Sequence, residues 1–179
     1  SEAFKQGLIQ GKIAESARKR DMDIASRKEV ILGVNQYPNF TEKITKQIKA
    51  ENLQPAELAS QDAFVTPIKP YRGAMAFERL RYKTDHYSLK NKRPSAFMFT
   101  YGSLSMRIAR SQFSRNFFGC AGFETIDNHG FKTVEEGITA AMESNAEIVV
   151  ICSADEEYPV IAPKIFEGLK NQAIIVVAG

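Results

Sequence analysis

Beyond Pro94, four short apolar runs recur at near-regular intervals, at residues 96–101, 123–126, 148–152 and 174–178. Helical stretches near 105–119, 133–144 and 160–170 separate them. A strand with one wet face alternates apolar and polar residues, but Ile148-Val149-Val150-Ile151-Cys152 is apolar throughout. That pattern belongs to strands buried on both faces of a parallel sheet covered by helices. The order βαβαβαβ therefore predicts an α/β domain built on a doubly wound parallel sheet.

The expected architecture is flavodoxin-like, with strand order 2-1-3-4. Ligands of such sheets bind beyond the carboxyl ends of the strands, where the winding reverses. Here that place lies between the first and third strands, and its loops are residues 102–106 and 153–158. The class calls for another helix after the fourth strand, so the domain is expected to be truncated there, with an unfinished sheet edge.

Residues 1–93 differ in kind. Phe4, Leu8, Ile9, Ile13 and Ala17 recur at helical spacing, and the helix is expected to end in the cationic run Arg18-Lys19-Arg20. The β-rich run Val30-Ile31-Leu32-Gly33-Val34, stopped by Asn35 and Pro38, predicts a strand. Residues 38–70 hold four of the seven prolines and a short Ile44/Ile48 pattern, which predicts an irregular connection. Helical character returns over residues 71–87 through Ala74, Phe77, Leu80 and Arg81, and Lys90-Asn91-Lys92-Arg93-Pro94 breaks it. Two domains are expected, 1–93 and 94–179. Phe4, Leu8, Ile13, Val30, Leu32, Phe77 and Leu80 are too dispersed to close a core of their own, so the first part is expected to need a partner surface and the isolated chain to self-associate.

Charge follows the same division. Residues 1–94 carry 18 Lys+Arg against 11 Asp+Glu, and residues 95–179 carry 6 against 10. The basic charges are spread along amphipathic stretches without interleaved aromatics, so a solvated or subunit-facing surface is expected and no nucleic acid. No apolar run approaches the length that spans a bilayer, and Ser1-Glu2-Ala3-Phe4-Lys5 is no secretory signal, so no membrane association and a cytoplasmic location are expected. Cys120 and Cys152 are too few and too far apart for a zinc site or a disulfide framework, which predicts reduced, packed thiols.

Three groups of residues have candidate chemistry. Gly102-Ser103-Leu104-Ser105, with Arg107 and Arg110 behind it, places a polar loop at a helix N-terminus and suits an anion. The alternative is that Ser103 or Ser105 is the N-cap, with the arginines on a solvent face or at an interface. Asp155-Glu156-Glu157-Tyr158 sets three acids beside the same crevice, and carboxylates there ordinarily stabilise the first turn of the following helix. His129 lies in the turn Asp127-Asn128-His129-Gly130, expected on the far side of the second strand from the first loop. His86 lies on the helix before Pro94. Neither has an evident catalytic or metal-binding partner, so both are expected at the surface.

The continuation Arg110-x-x-Phe113-x-x-Asn116-Phe117-Phe118-x-x-Ala121-Gly122-Phe123 resembles the cobalamin-binding domain of the methylmalonyl-CoA mutase family, most closely as it stands in that family's small subunit. Cys152-Ser153-x-Asp155-x-x-Tyr158 and the closing Ala178-Gly179 extend the likeness. Residues 27–38 are similar to the end of the family's TIM-type substrate barrel. Arg72-x-Ala74-x-x-Phe77-Glu78-x-Leu80-Arg81 is similar to the helix that leads to its cobalamin domain. The resemblance implies that 1–93 is a barrel-terminal segment and linker, and that 94–179 is an incomplete cobalamin-binding-like domain. The family's large subunit carries Asp-x-His-x-x-Gly in the first loop, and its histidine ligates cobalt. Those positions fall near Ser105, Arg107 and Arg110 here. The second motif, Ser-x-Leu, falls at Cys152-Ser153-Ala154 without its leucine.

The resemblance thus implies a non-catalytic subunit that binds no cofactor or metal itself, paired as a heterodimer with a large subunit that holds adenosylcobalamin. Gly102, Ser103, Ser105, Arg107, Ser153, Asp155 and Tyr158 would line a vestigial crevice. Two other functions stand beside it. One is a flavodoxin-like module that holds an anionic nucleotide or CoA moiety through Ser103, Ser105, Arg107 or Arg110, and the other is an independent enzyme using the acids at 155–157.

Overall fold

The computed structural model describes residues 2–44, 48, 53, 65–68 and 70–179. The backbone divides into two compact units, residues 1–83 and 84–179.

In the first unit a short helix α1, Glu2–Lys5, gives way to α2, Leu8–Ala25, at Gly7, whose φ of +73° is left-handed. Helix α2 does not end at Arg18-Lys19-Arg20 but runs through it. Lysine and arginine are good helix formers, and a cationic run stops nothing by itself. The stop comes at Ser26 and Arg27, where Ser26 N–H reaches Met22 O at 2.9 Å and Arg27 takes a φ of +60°. Arg20 bonds Glu29 beyond the helix, at 2.5 Å.

The expected strand at 30–34 is a turn. Its one ladder contact is a bridge between Leu32 and Gln36, and Leu32 is 76% exposed. The turn is organised by Asn35, which is fully buried. Its Oδ1 accepts from Ile31 N–H at 2.8 Å, and its Nδ2 donates to Ile24 O at 2.8 Å and Glu29 O at 2.9 Å. An asparagine that satisfies the backbone locally competes with a ladder, and the apolar run has no strand to pair with among the described residues. Of the expected irregular connection at 38–70, residues 45–47, 49–52, 54–64 and 69 lie outside the described residues. Helix α3, Met75–Tyr87, starts four residues later than expected, because Gly73 and Ala74 form a turn closed by Met75 N–H on Arg72 O at 3.1 Å. A Cβ on Gly73 would stand 2.8 Å from the Ile24 side chain, so the close approach there requires glycine.

The second unit matches the expected α/β arrangement closely. Strands β1, Ser95–Thr100, and β2, Glu124–Ile126, and then β3, Ile148–Cys152, and β4, Ile174–Val177, form one parallel sheet in the order β2-β1-β3-β4. Helices α4, Leu104–Cys120, α5, Val134–Ser144, and α6, Tyr158–Leu169, supply the crossovers. The register pairs Ser95 with Glu124, Ala96 with Ile148 and Val149 with Ile175. All six residues of β1 are buried, because it is central and both its faces are covered.

Alternate residues divide between the two faces. Phe97, Phe99, Val149 and Ile151 pack with Val134 and Ala141 of α5 and with Ile161, Ile165 and Leu169 of α6. Ala96, Met98, Val150 and Cys152 pack on the other face with Phe118 of α4. Helix α5 begins with a capping box, in which Glu136 N–H reaches Thr133 Oγ1 at 3.2 Å and Thr133 N–H returns to Glu136. This winding brings the loops after β1 and β3 side by side at the carboxyl edge of the sheet.

Candidate functional site

Strand β1 ends at Thr100, and Gly102, whose φ is +72°, turns the chain into α4. Ser103 holds the N-cap position, yet its side chain makes no capping bond; its Oγ lies 3.4 Å from Ser105 Oγ. Glu157, at the N-cap position of α6, turns away from its own helix and carries its carboxylate across the crevice. That carboxylate accepts from the Ser153 hydroxyl and from Ala154 N–H at 3.1 Å, and it stands against Gly102 of the first loop, where the Ser103 amide favours its charge. The expectation that the acids at 155–157 stabilise their own helix turn is corrected for Glu157, whose bonds go to Ser153 and Ala154 before the helix. The hydrogen bond from Ser153 holds its carboxyl below the usual range. Burial opposes this, while the amides of Ala154 and Ser103 and the charge of Arg107 assist.

Arg107, one turn into α4, is a strap between loops. It donates to Gly102 O and to His129 O, each at 3.0 Å. At Gly130, where φ is +99°, a Cβ would run into this guanidinium. The turn holding His129 therefore lies beside the first loop, contrary to the expectation that it sits on the far side of β2. Asn128 fixes it there: Nδ2 donates to Met98 O at 2.5 Å, and Oδ1 accepts from the Thr100 hydroxyl. The imidazole of His129 is exposed, as is that of His86.

Arg110, on the next turn of α4, gathers the third and fourth strands. It pairs with Asp155 at 2.7 Å, donates to Tyr158 Oη at 2.7 Å and to Ala178 O, and lies 5.1 Å from the centre of the Tyr158 ring. Tyr158 Oη in turn receives Ser153 N–H at 3.2 Å and donates to Ala178 O. The bonds from Asp155 and Tyr158 raise the Arg110 pKa further, so its charge is permanent.

The structure thus gathers the candidates into two neighbouring clusters. Gly102, Ser103 and Ser153 surround the Glu157 carboxylate, and Asp155 and Tyr158 surround the Arg110 guanidinium. Ser105 touches only Ser103 among these. The role of Glu157 was not legible in the sequence, because it depends on which way one side chain turns. The only signal was a glycine just after β1 opposite an acid after β3. Cys152 is no nucleophile: burial pushes its thiol up to about 12. Among the described residues no group of three or more His, Cys, Asp or Glu gathers as a metal site, and no helix is long and apolar enough to cross a membrane.

The sequence model of the family described as methylmalonyl-CoA mutase matches residues 1–80. Over its whole length the chain is 45% identical to the methylmalonyl-CoA mutase small subunit of Porphyromonas gingivalis, covering 28% of that protein. A probable methylmalonyl-CoA mutase small subunit of Mycobacterium tuberculosis is 32% identical over 84% of the chain and 22% of its own length. The methylmalonyl-CoA mutase small subunit of Streptomyces virginiae is 28% identical over 94% of the chain and 26% of its own length. The chain spans about a quarter of the length of these relatives.

Proposed function

The chain belongs to the methylmalonyl-CoA mutase family, and from that we propose that it is part of the small, non-catalytic subunit, serving a structural or regulatory role beside a catalytic large subunit. In this reading the large subunit holds adenosylcobalamin, which supplies the radical chemistry that interconverts methylmalonyl-CoA and succinyl-CoA. This chain pairs with it as a cytoplasmic heterodimer and carries out no step itself.

The observation that supports the reading most is the occupied crevice. Where the fold offers a ligand site, the Glu157 carboxylate already takes the Ala154 amide and the Ser153 hydroxyl and stands beside the Ser103 amide. A corrin does not fit the residues present. The first loop offers Arg107, a charged guanidinium with no lone pair to give a metal, and it is held on Gly102 O and His129 O. The vestigial crevice is therefore Gly102, Ser103, Ser105, Arg107, Ser153, Asp155 and Tyr158. The other reading, a module for an anionic nucleotide or CoA moiety, is disfavoured by the same carboxylate, which would stand against any phosphate approaching those amides.

Co-expression with a tagged large subunit tests the proposal. The two chains are expected to copurify in equal amounts, and mutase activity is expected to require the large subunit and never to arise from this chain alone. Adenosylcobalamin mixed with this chain, or with its Arg107→His variant, is expected to show no cobalt–imidazole spectrum. Failure to copurify, or such a spectrum from the unaltered chain, would remove the reading.

A further inference from the structure

The bonds around Glu157 have a property that an ordinary helix cap lacks. A capping carboxylate bonds the free amides of its own first turn, and Glu157 makes no such bond. Its bonds come from Ser153 Oγ and Ala154 N–H after β3, while the Ser103 amide at the start of α4, on the other loop, favours its charge. Ser153 is fully buried, and its Oγ lies between the Glu157 carboxylate and Tyr101 O, the latter at 2.9 Å. Gly102 is part of the same arrangement, since a Cβ there would occupy the place of the carboxylate. The positive end of the α4 dipole and the charge of Arg107 favour an anion at this point. Every donor is anchored to the sheet, whereas the anion hangs on a flexible side chain.

We propose that the loops after β1 and β3 form a preformed carboxylate site whose resident ligand is the side chain of Glu157, an internal plug that keeps the crevice closed to outside anions. The ligand class is a small carboxylate, matched by the Ala154 amide and the Ser153 hydroxyl with the Ser103 amide beside them. The plug is a covalent extension of the chain, so it holds the site at an effective concentration that free anions do not reach. The inference deepens the reading of a cofactor-free crevice and rests on it only in that respect.

Glu157→Ala removes a methylene and a carboxylate, close to the size of acetate, so acetate is the probe. In the intact chain carrying E157A, the amide proton and nitrogen signals of Ser103 and Ala154 are expected to move saturably with acetate, at a Kd on the order of 10 mM. Equimolar chloride is expected to leave them in place. The melting temperature of E157A should rise with acetate by roughly 2–5 °C. The unaltered chain and E157Q, whose side chains fill the crevice, should not respond. Should E157A be unfolded in buffer, refolding by acetate and not by chloride is the expected result. Equal shifts in the unaltered chain, a folded E157A indifferent to acetate, or an unfolded E157A that acetate does not rescue would each overturn the proposal. All readouts come from this chain alone, so their failure leaves pairing with a large subunit standing, and failure to pair leaves the plug standing.

Discussion

Arg110 and Asp155 show how unevenly one ion pair divides its worth. Asp155 is 75% exposed at its side chain and Arg110 only 14%. An exposed carboxylate contributes little, so Asp155→Asn should change stability by less than about 1 kcal/mol. The buried end of Arg110 serves Tyr158 Oη and Ala178 O, so Arg110→Met should cost about 1–3 kcal/mol in urea unfolding. Equal costs for the two variants would mean that the surface pair, and not the buried bonds, does the holding. Glu157 adds a pH dependence. Its folded pKa lies below the ordinary value, so its contribution is complete above the unfolded pKa of about 4.3 and is lost as pH falls through the folded value. Unfolding midpoints should therefore decline more steeply below about pH 5 in the unaltered chain than in E157Q, and parallel curves would refute this. The sequence located these residues at one edge of one sheet, since loops after strands are fixed by topology. It did not reveal their partners, because Glu157 serving its own helix and Glu157 crossing to another loop are written with the same letters.

Among elements, the strands of the second unit were legible because burial on both faces leaves an unbroken apolar run. The same reasoning failed at Val30 to Val34, whose apolar letters belong to a turn held by Asn35 and remain largely exposed at Val30 and Leu32. Apolar content says that a surface is covered by something, and a sheet is only one cover. Asn35→Ala should cost about 2–4 kcal/mol, since it strands the Ile31 amide and two carbonyls in a buried place. Hydrogen exchange at Ile31 should then rise first, and unchanged protection there would show that the turn stands without its asparagine. Helix α5 makes a complementary prediction. A Cβ on Gly137 would fall within the Phe99 ring, which is fully buried. Gly137→Ala should therefore destabilise by about 1–3 kcal/mol despite the better helix propensity of alanine. A gain in melting temperature would show that α5 can shift away from the sheet freely.

For the whole molecule, exposed apolar side chains set the expected behaviour in solution. Leu8, Ile13, Val30 and Leu32 in the first unit and Ile174 and Val177 on β4 all face water. The isolated chain should self-associate above micromolar concentrations, as light scattering would register, and a concentration-independent monomer would contradict it. A different property follows from where the two thiols lie. Cys120 and Cys152 are buried, and the ionisation of Cys152 at about 12 leaves it roughly a thousandfold less thiolate at neutral pH than an ordinary cysteine. A thiol reagent can reach Cys152 only when β3, the strand between β1 and β4, comes apart. The native protein therefore carries its own stopwatch: the rate at which Cys152, as distinct from Cys120 on α4, takes up an alkylating agent reads how often the sheet opens.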